Sequence, residues 1–295
     1  MARNPKLEVA ALNIRIPEDK DRNYDALISR IVGLKRGVRV YGDTYVALSW
    51  YDPEQRIGVV SKYTEIDLGG EWFDIEEFDT AAPEKIDEIN IPGTLKPNHA
   101  RFYFSVNEDI HVLAFETYSE SKGLSASAFE KYMKQILLSP PIRDEFGLVE
   151  ADLIKDYQEV ENLLSLENLK EVKITIRMPN PDDVGDALAR VIEERLKEQN
   201  ADEYVELLRS KDSGSLNPND RTRKLASVAA ENGQVQTRNI ENGVMVTKDS
   251  SASPLIEVST YGAEDSEFVM FRGVISKLFG RVIEARARAR VAERN

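Results

Sequence analysis

The stretch RFYFSVNEDIHVLAFE, residues 101–116, indicates the fold more clearly than any other part of the sequence. Aromatic and aliphatic residues fill its two halves, Arg101–Val106 and Ile110–Glu116, and the polar residues Asn107, Glu108 and Asp109 separate them. Two apolar runs around a short polar turn predict an antiparallel β-hairpin.

Further strands are predicted on both sides of this hairpin, because β-branched and aromatic residues recur between Gly-Asp, Asp-Pro and Asn-Gly turns. These runs cover residues 7–16, 38–41, 45–50, 57–66, 86–91, 170–178, 234–240, 243–248 and 255–261. Hairpins outnumber strand–helix alternations. The sequence therefore predicts an α+β fold of antiparallel, hairpin-rich sheets with packed helices, rather than a doubly wound sheet.

Helices are predicted where apolar residues recur every three or four positions. The predicted helices cover residues 24–31, 125–138, 153–166, 184–196, 204–208, 219–231 and 267–294. Pro140-Pro141 ends the second of these helices, and residues 140–146 are a candidate boundary. We expect an N-terminal α+β domain over residues 1–145 and a C-terminal α+β domain over 146–295 that ends in a basic helix.

Composition excludes several kinds of chemistry. The 295 residues include no cysteine, which excludes disulfides, zinc–cysteine sites and thiol nucleophiles. No apolar run approaches 18 residues and no leader follows Met1, so we expect a soluble, cytoplasmic protein without a membrane span. The net charge of −13 is uneven, because residues 64–219 carry −18 and both ends are slightly positive. Acidic surface that keeps the protein soluble is the simpler explanation of this asymmetry.

Catalytic motifs are not evident. His99 and His111 lie in different local settings. No sequence pattern around either histidine indicates that it acts as the base of a catalytic triad. Neither of the common glycine-rich phosphate-binding motifs occurs. We therefore predict no cofactor and favour a non-enzymatic protein.

Two carboxylate patterns nevertheless leave a metal-dependent nuclease open. Asp182, Asp183 and Asp186 would be able to gather around a hard cation, although helix capping also explains them. Glu171 and Lys173 share one face of a predicted strand, as a metal ligand and a water-positioning lysine would. Simple alternation on an exposed strand face explains that pair equally well.

The C-terminal helix is the most distinctive feature. Val274, Leu278 and Val282 form an apolar stripe, which is followed by closely spaced arginines. Such a helix is suited to phosphate, to an acidic partner, or to a protein core with a solvated basic end. A second basic patch opens the predicted helix 219–231, and Lys35, Arg36 and Arg39 form a third. The nucleic-acid-binding candidates are Arg221, Arg223, Lys224, Arg281, Arg286, Arg288 and Arg290.

The order of elements over residues 100–295 resembles that of the RexA-like phage-exclusion proteins. It is also similar to an uncharacterised family from phage-defence loci and, more distantly, to the KwaB component of the Kiwa system. The resemblance rests on the hairpin 101–115, the helix 124–138, the strand 170–178, the Pro-Asn-Pro turn 179–181 and the basic C-terminal helix. It implies a two-domain protein that dimerises and binds DNA without strong sequence preference in an abortive-infection response.

Three hypotheses follow. The leading one is a non-enzymatic sensor or regulator of prokaryotic antiphage defence that acts through DNA or a partner protein. The second is an acidic interaction or assembly subunit that forms a homodimer through the stripe Val274, Leu278 and Val282. The third is the nuclease, with Glu171, Lys173 and Asp182 or Asp183 at its centre.

Overall fold

A computed structural model describes residues 5–89, 91–119, 121–179, 187–211, 214–262 and 264–291. Its strands are β1 (Lys6–Arg15), β2 (Val38–Tyr41), β3 (Thr44–Asp52), β4 (Ile57–Thr64), β5 (Phe73–Asp74), β6 (Asp79–Thr80), β7 (Ala100–Asn107), β8 (Val112–Ser119), β9 (Lys122–Gly123), β10 (Glu150–Leu153), β11 (Leu169–Arg177), β12 (Glu203–Arg209), β13 (Gly233–Glu241), β14 (Val244–Asp249) and β15 (Ile256–Thr260). Its helices are α1 (Tyr24–Gly33), α2 (Pro83–Asp87), α3 (Ala126–Leu137), α4 (Pro140–Phe146), α5 (Tyr157–Leu164), α6 (Ala187–Gln199), α7 (Asp220–Asn232) and α8 (Glu267–Val291).

The larger of the two main sheets is antiparallel and has the strand order β10-β1-β8-β7-β4-β3-β2. In addition, β15 pairs with β1 and β9 pairs with β8. Helices α1, α3 and α4 pack on one face around Phe104, Phe115 and Phe129, whereas α8 packs on the other face. Because helices cover both faces, β1 is buried along most of its length, and its residues from Val9 to Leu12 are all apolar.

The smaller sheet is also antiparallel, with the order β12-β11-β13-β14. Val172, Ile174 and Ile176 alternate along β11 toward one face, as the sequence predicts for a half-buried strand. Residues of α5, α6 and α7 cover that face and form a second core. The other face carries the charged side chains of Glu171 and Arg209, which form an ion pair of 2.8 Å.

The α+β prediction is confirmed, and so is the hairpin that suggested it. Strands β7 and β8 pair antiparallel, with Phe104 opposite Phe115 and Asn107 opposite Val112. A single 3₁₀ turn from Glu108 to Ile110 connects them. Both strands lie in the centre of the larger sheet, which explains why so many of their residues are apolar.

Hydrogen bonding crosses the domain boundary predicted between residues 145 and 146. Strands β10 and β15 lie after that boundary in the chain, yet both pair with β1. Helix α8 also packs on the larger sheet. These pairings join residues that are far apart in sequence, and no local pattern records them. The division into two domains, residues 1–145 and 146–295, stays a prediction.

Several predicted elements are wrong. Residues 204–208 belong to strand β12, whose exposure alternates residue by residue and which pairs with β11. The proposed boundary at 140–146 is helix α4, because its prolines occupy the first turn, where no amide donor is needed. The helix predicted from residue 153 starts at Tyr157, after β10. In place of a strand at 86–91, the structure has helix α2 over Pro83–Asp87.

The apolar stripe of α8 is not available as the predicted dimer interface. Val274, Leu278 and Val282 are each at most 1% exposed, because they pack against the larger sheet of the same chain. Burial in a protein core and burial in a dimer produce the same periodic pattern, so sequence alone does not separate them. Within the described residues, no helix is long and apolar enough to cross a bilayer.

Candidate ligand-binding cleft

A cleft of about 400 Å³ lies where α5, α7 and α8 converge. Helices α5 and α7 belong to the core of the smaller sheet, whereas α8 packs on the larger sheet. The cleft is therefore lined by helices that belong to two different hydrophobic cores. Its volume lies within the range of small-molecule sites. The lining residues are Asp156, Tyr157, Gln158, Val160, Glu161, Arg223, Lys224, Ser227, Ala230, Arg281, Glu284, Ala285 and Arg288.

Helical periodicity brings the cationic side chains of this cleft together. In α8, Arg281, Ala285 and Arg288 are spaced by four and three residues, so they share one face. In α7, Arg223 and Ser227 are four residues apart and therefore also share one face. Asn219 begins that helix, because its side-chain oxygen accepts a hydrogen bond of 2.9 Å from the amide of Thr222. The cleft thus gathers four of the seven residues predicted to bind nucleic acid.

Arg281 is the most firmly held of these cations. Its guanidinium donates to Asp156 at 2.9 Å, to the carbonyl of Ile256 at 3.0 Å and to Glu257 at 3.3 Å. Asp156 also caps α5 by accepting from the amides of Gln158 and Glu159. Arg281 therefore ties α8 to α5 and to β15, and it forms a fixed wall of the cleft.

The other three cations line the cleft from α7 and α8. Arg223 pairs with Glu161, and Arg288 lies 3.5 Å from Glu284 with 83% of its side chain exposed. Lys224 is half-buried in the wall formed by α7. With the carboxylates of Asp156, Glu161 and Glu284 among them, the lining is mixed in charge. Val160, Ala230 and Ala285 add an apolar part. This arrangement suits a molecule that carries both an anionic group and an apolar body.

The remaining predicted nucleic-acid-binding residues lie elsewhere. Arg221 is exposed on α7 but does not line the cleft. Arg286 is directed inward, because its guanidinium donates to Glu231 at 2.7 and 2.9 Å and to the carbonyl of Ile110 at 3.0 Å. Those protein acceptors occupy the guanidinium of Arg286, which is therefore not presented to a nucleic acid. The side chain of Arg290 lies outside the described residues.

The nuclease candidates are only partly described. Asp182, Asp183 and Asp186 lie outside the described residues. Glu171 pairs with Arg209 on the exposed face of the smaller sheet, and Lys173 lies on the same face. Across the part of the chain that the structure describes, no three histidine or carboxylate side chains are grouped as a metal site would require.

A buried charged cluster adjoins the cleft and was not predicted. Asp152 accepts from Arg177 at 3.0 Å and lies 3.0 Å from the ammonium of Lys134. Lys155, which directly precedes Asp156, is 3% exposed, and its backbone amide donates to the carbonyl of Ala230 in α7. Burial lowers the pKa of Lys155 to about 8, although Asp152 and Glu130 oppose this shift. No local sequence pattern indicates this cluster, because its charged residues come from α3, from the segment 152–155 and from β11.

The lowered pKa of Lys155 predicts a pH-dependent stability. Between about pH 8 and its ordinary pKa of 10.5, the unfolded chain binds a proton at Lys155 that the folded protein does not. The free energy of unfolding should therefore rise with pH in this window, by roughly 1 kcal/mol per unit. In urea titrations at about pH 8 and pH 10, the wild type should gain stability relative to Lys155→Met. Parallel pH profiles for the two proteins would contradict the prediction.

These features together define a class: an α+β protein of two antiparallel sheets with a mixed-charge cleft between their cores. The model of the family described as domain of unknown function DUF4747 matches residues 5–276. The chain therefore belongs to this family, and the match covers every strand of both sheets. The comparison with curated proteins found no match.

Proposed function

We propose that this protein is a non-enzymatic sensor, and that the cleft between α5, α7 and α8 binds a small molecule with an anionic group and an apolar body. The position of the cleft is the observation that carries the proposal. A ligand there contacts α5 and α7 of one core and α8 of the other, so binding favours one arrangement of the two cores over others. The resemblance to phage-exclusion proteins suggests phage infection as the sensed event.

Duplex DNA is a less favourable ligand for this cleft. A duplex presents regularly spaced phosphates to a surface, and its affinity grows with the number of cations that contact them. Here Asp156, Glu161 and Glu284 stand among the cations. A small anion that fits between the carboxylates avoids repulsion that an extended backbone would meet. DNA contact through Arg221, Lys224 and Arg288 stays a prediction.

The test uses 1-anilinonaphthalene-8-sulfonate, a probe that combines an apolar body with one anionic group. We expect it to bind with one-to-one stoichiometry and increased fluorescence. Ala285→Phe should fill the cleft and weaken binding by about tenfold or more, which corresponds to a loss of about 1.4 kcal/mol. Ala287→Phe is the matched control, because Ala287 is exposed on the same helix and does not line the cleft.

Equal probe binding in Ala285→Phe and the wild type, with both proteins folded by circular dichroism, would refute the proposed cleft. A thermal-shift screen of nucleotides and organic acids then identifies the natural ligand class. A genuine ligand should raise the melting temperature of the wild type and of Ala287→Phe, but not that of Ala285→Phe.

A further inference from the structure

A second surface, on the larger sheet, has a different chemistry. Strands β2, β3, β4 and β7 comprise 29 residues, and Asp52 is the one acidic residue among them. The whole chain has 52 acidic residues, so these strands are strongly depleted in negative charge. They supply three cations, at Arg39, Lys62 and Arg101. The cleft uses none of these residues.

Strand register places several of these side chains on the same face of the sheet as α8, but on strands beyond those that α8 covers. Arg39 lies opposite Tyr45, and Tyr45 lies opposite Tyr63. One step along the strands, Ser61 lies opposite Arg101. Paired residues share a face of a sheet, so Arg39, Tyr45 and Tyr63 form one row across the strands. Ser61 and Arg101 belong to the next row on the same face.

Helix α8 covers this side of the sheet only as far as β7. Its residues Phe268 and Phe271 pack on Tyr103, with ring centroids 5.5 and 5.8 Å apart. Beyond Tyr103 the face is partly exposed, because Val59 is buried whereas Tyr45, Ser61 and Tyr63 are half-buried. Trp50, which lies opposite Val59 on this face, is 50% exposed.

Two adjoining hollows at the edge of this face collect basic side chains. Their volumes are about 410 and 230 Å³, and His99 and Lys122 line both. Lys62 completes the larger hollow and Arg101 the smaller. Among the described residues, Glu267 is the only carboxylate that lines either hollow. Arg101 and Lys122 form no ion pair with any described residue, in contrast to the paired arginines of the cleft.

Aromatic rings lie beside these cations. Tyr45 and Tyr63 stack with centroids 5.7 Å apart and an angle of 12° between their planes. His99 lies within hydrogen-bonding distance of Ser61, at 3.1 Å, which holds the imidazole at the edge of the face. The combination is therefore stacked aromatic rings, an exposed indole and basic hollows that carry few carboxylates.

We infer that this face, formed by Trp50, Tyr45, Tyr63, His99, Arg101 and Lys122, binds single-stranded nucleic acid. Aromatic side chains stack on unpaired bases, and nearby cations attract the phosphates, with little dependence on sequence. A duplex keeps its bases paired and offers none for stacking on Trp50. The excess negative charge elsewhere on the protein repels phosphate and confines binding to this face.

Trp50 supplies a direct readout, because the chain contains only two tryptophans. In Trp72→Phe, Trp50 is the sole tryptophan. We expect a 12-residue oligothymidylate to quench its fluorescence at low salt, and a labelled copy to show a rise in anisotropy. Arg101→Glu with Lys122→Glu should weaken binding by tenfold or more. The same change should reduce the slope of log affinity against log salt by ~1.4, as expected for two lost phosphate contacts.

The matched control reverses two other exposed cations, with Arg190→Glu and Arg238→Glu. It has the same net charge as the first variant, and its two positions, on α6 and β13, line neither the cleft nor the two hollows. Unchanged affinity in the control, together with weak binding of a 12-base-pair duplex, supports the inference. Absence of binding at low salt, equal or tighter binding of the duplex, or loss of binding only in the control would each overturn it. These outcomes are independent of the sulfonate probe at the cleft.

Discussion

Replacing Glu231 by alanine should lower the free energy of unfolding by about 3 to 5 kcal/mol, as expected when one partner of a buried ion pair is removed. One oxygen of Glu231 accepts from Arg286 at 2.7 and 2.9 Å, and the other accepts from the hydroxyl of Tyr157 at 2.7 Å. The side chains of Glu231 and Arg286 are 9% and 10% exposed. The substitution would remove the carboxylate that accepts two hydrogen bonds from the buried guanidinium.

Urea unfolding of three variants tests this expectation. Glu284→Ala is the matched control, because its partner Arg288 is 83% exposed and such pairs contribute about 0.5 kcal/mol or less. The double variant Glu231→Ala, Arg286→Met should recover part of the loss, because the charge and its partner are removed together. A loss below about 1 kcal/mol for Glu231→Ala would show that water reaches Arg286 in solution.

The second large effect is expected at Gly233, where α7 ends and β13 begins. Gly233 lies opposite Ile176 of β11, and a Cβ atom built on it would overlap the carbonyl oxygen of Thr175. The same Cβ would lie 3.1 Å from the Cα of Ile176. Because backbone atoms of the central strand would have to move, Gly233→Ala should cost about 3 kcal/mol, the upper end of overpacking penalties.

Gly273→Ala is the control for this substitution. Gly273 lies inside α8, and a Cβ atom there would meet nothing within 4 Å. Alanine should therefore raise stability by about 0.5 to 1 kcal/mol through its better helix propensity. Opposite signs for the two glycine substitutions in urea titrations are the expected result. Equal stability of Gly233→Ala and the wild type would mean that β11 and β13 are more loosely paired than the structure indicates.

Local sequence patterns predicted most elements of the fold, because they record which residues face a core. The hairpin of β7 and β8, helices α1 and α3, and the turn at Asn242-Gly243 were predicted near their observed positions. The predictions failed where a short apolar run fits both the helical and the strand periodicity. Residues 204–208 were predicted as a helix, but pairing with β11 makes them a strand.

The candidate cleft was partly predictable. Basic clusters in α7 and α8 identified Arg223, Lys224, Arg281 and Arg288, and these do line one cleft. What sequence analysis missed is their partners. Asp156, Glu161 and Glu257 come from other segments, and they change a basic patch into a mixed-charge site. Arg286 was grouped with its neighbours by spacing, although its helical position directs it toward Glu231.

Sequence by itself determined the α+β class, most strands and helices, and the absence of cysteine chemistry, because these depend on composition and on periodicity over a few residues. Only the tertiary structure decided that β10, β15 and α8 join the larger sheet. It alone decided that the stripe of α8 is core and that two different surfaces collect the cations. Such contacts join residues distant in the chain, and their geometry depends on packing that no local pattern encodes.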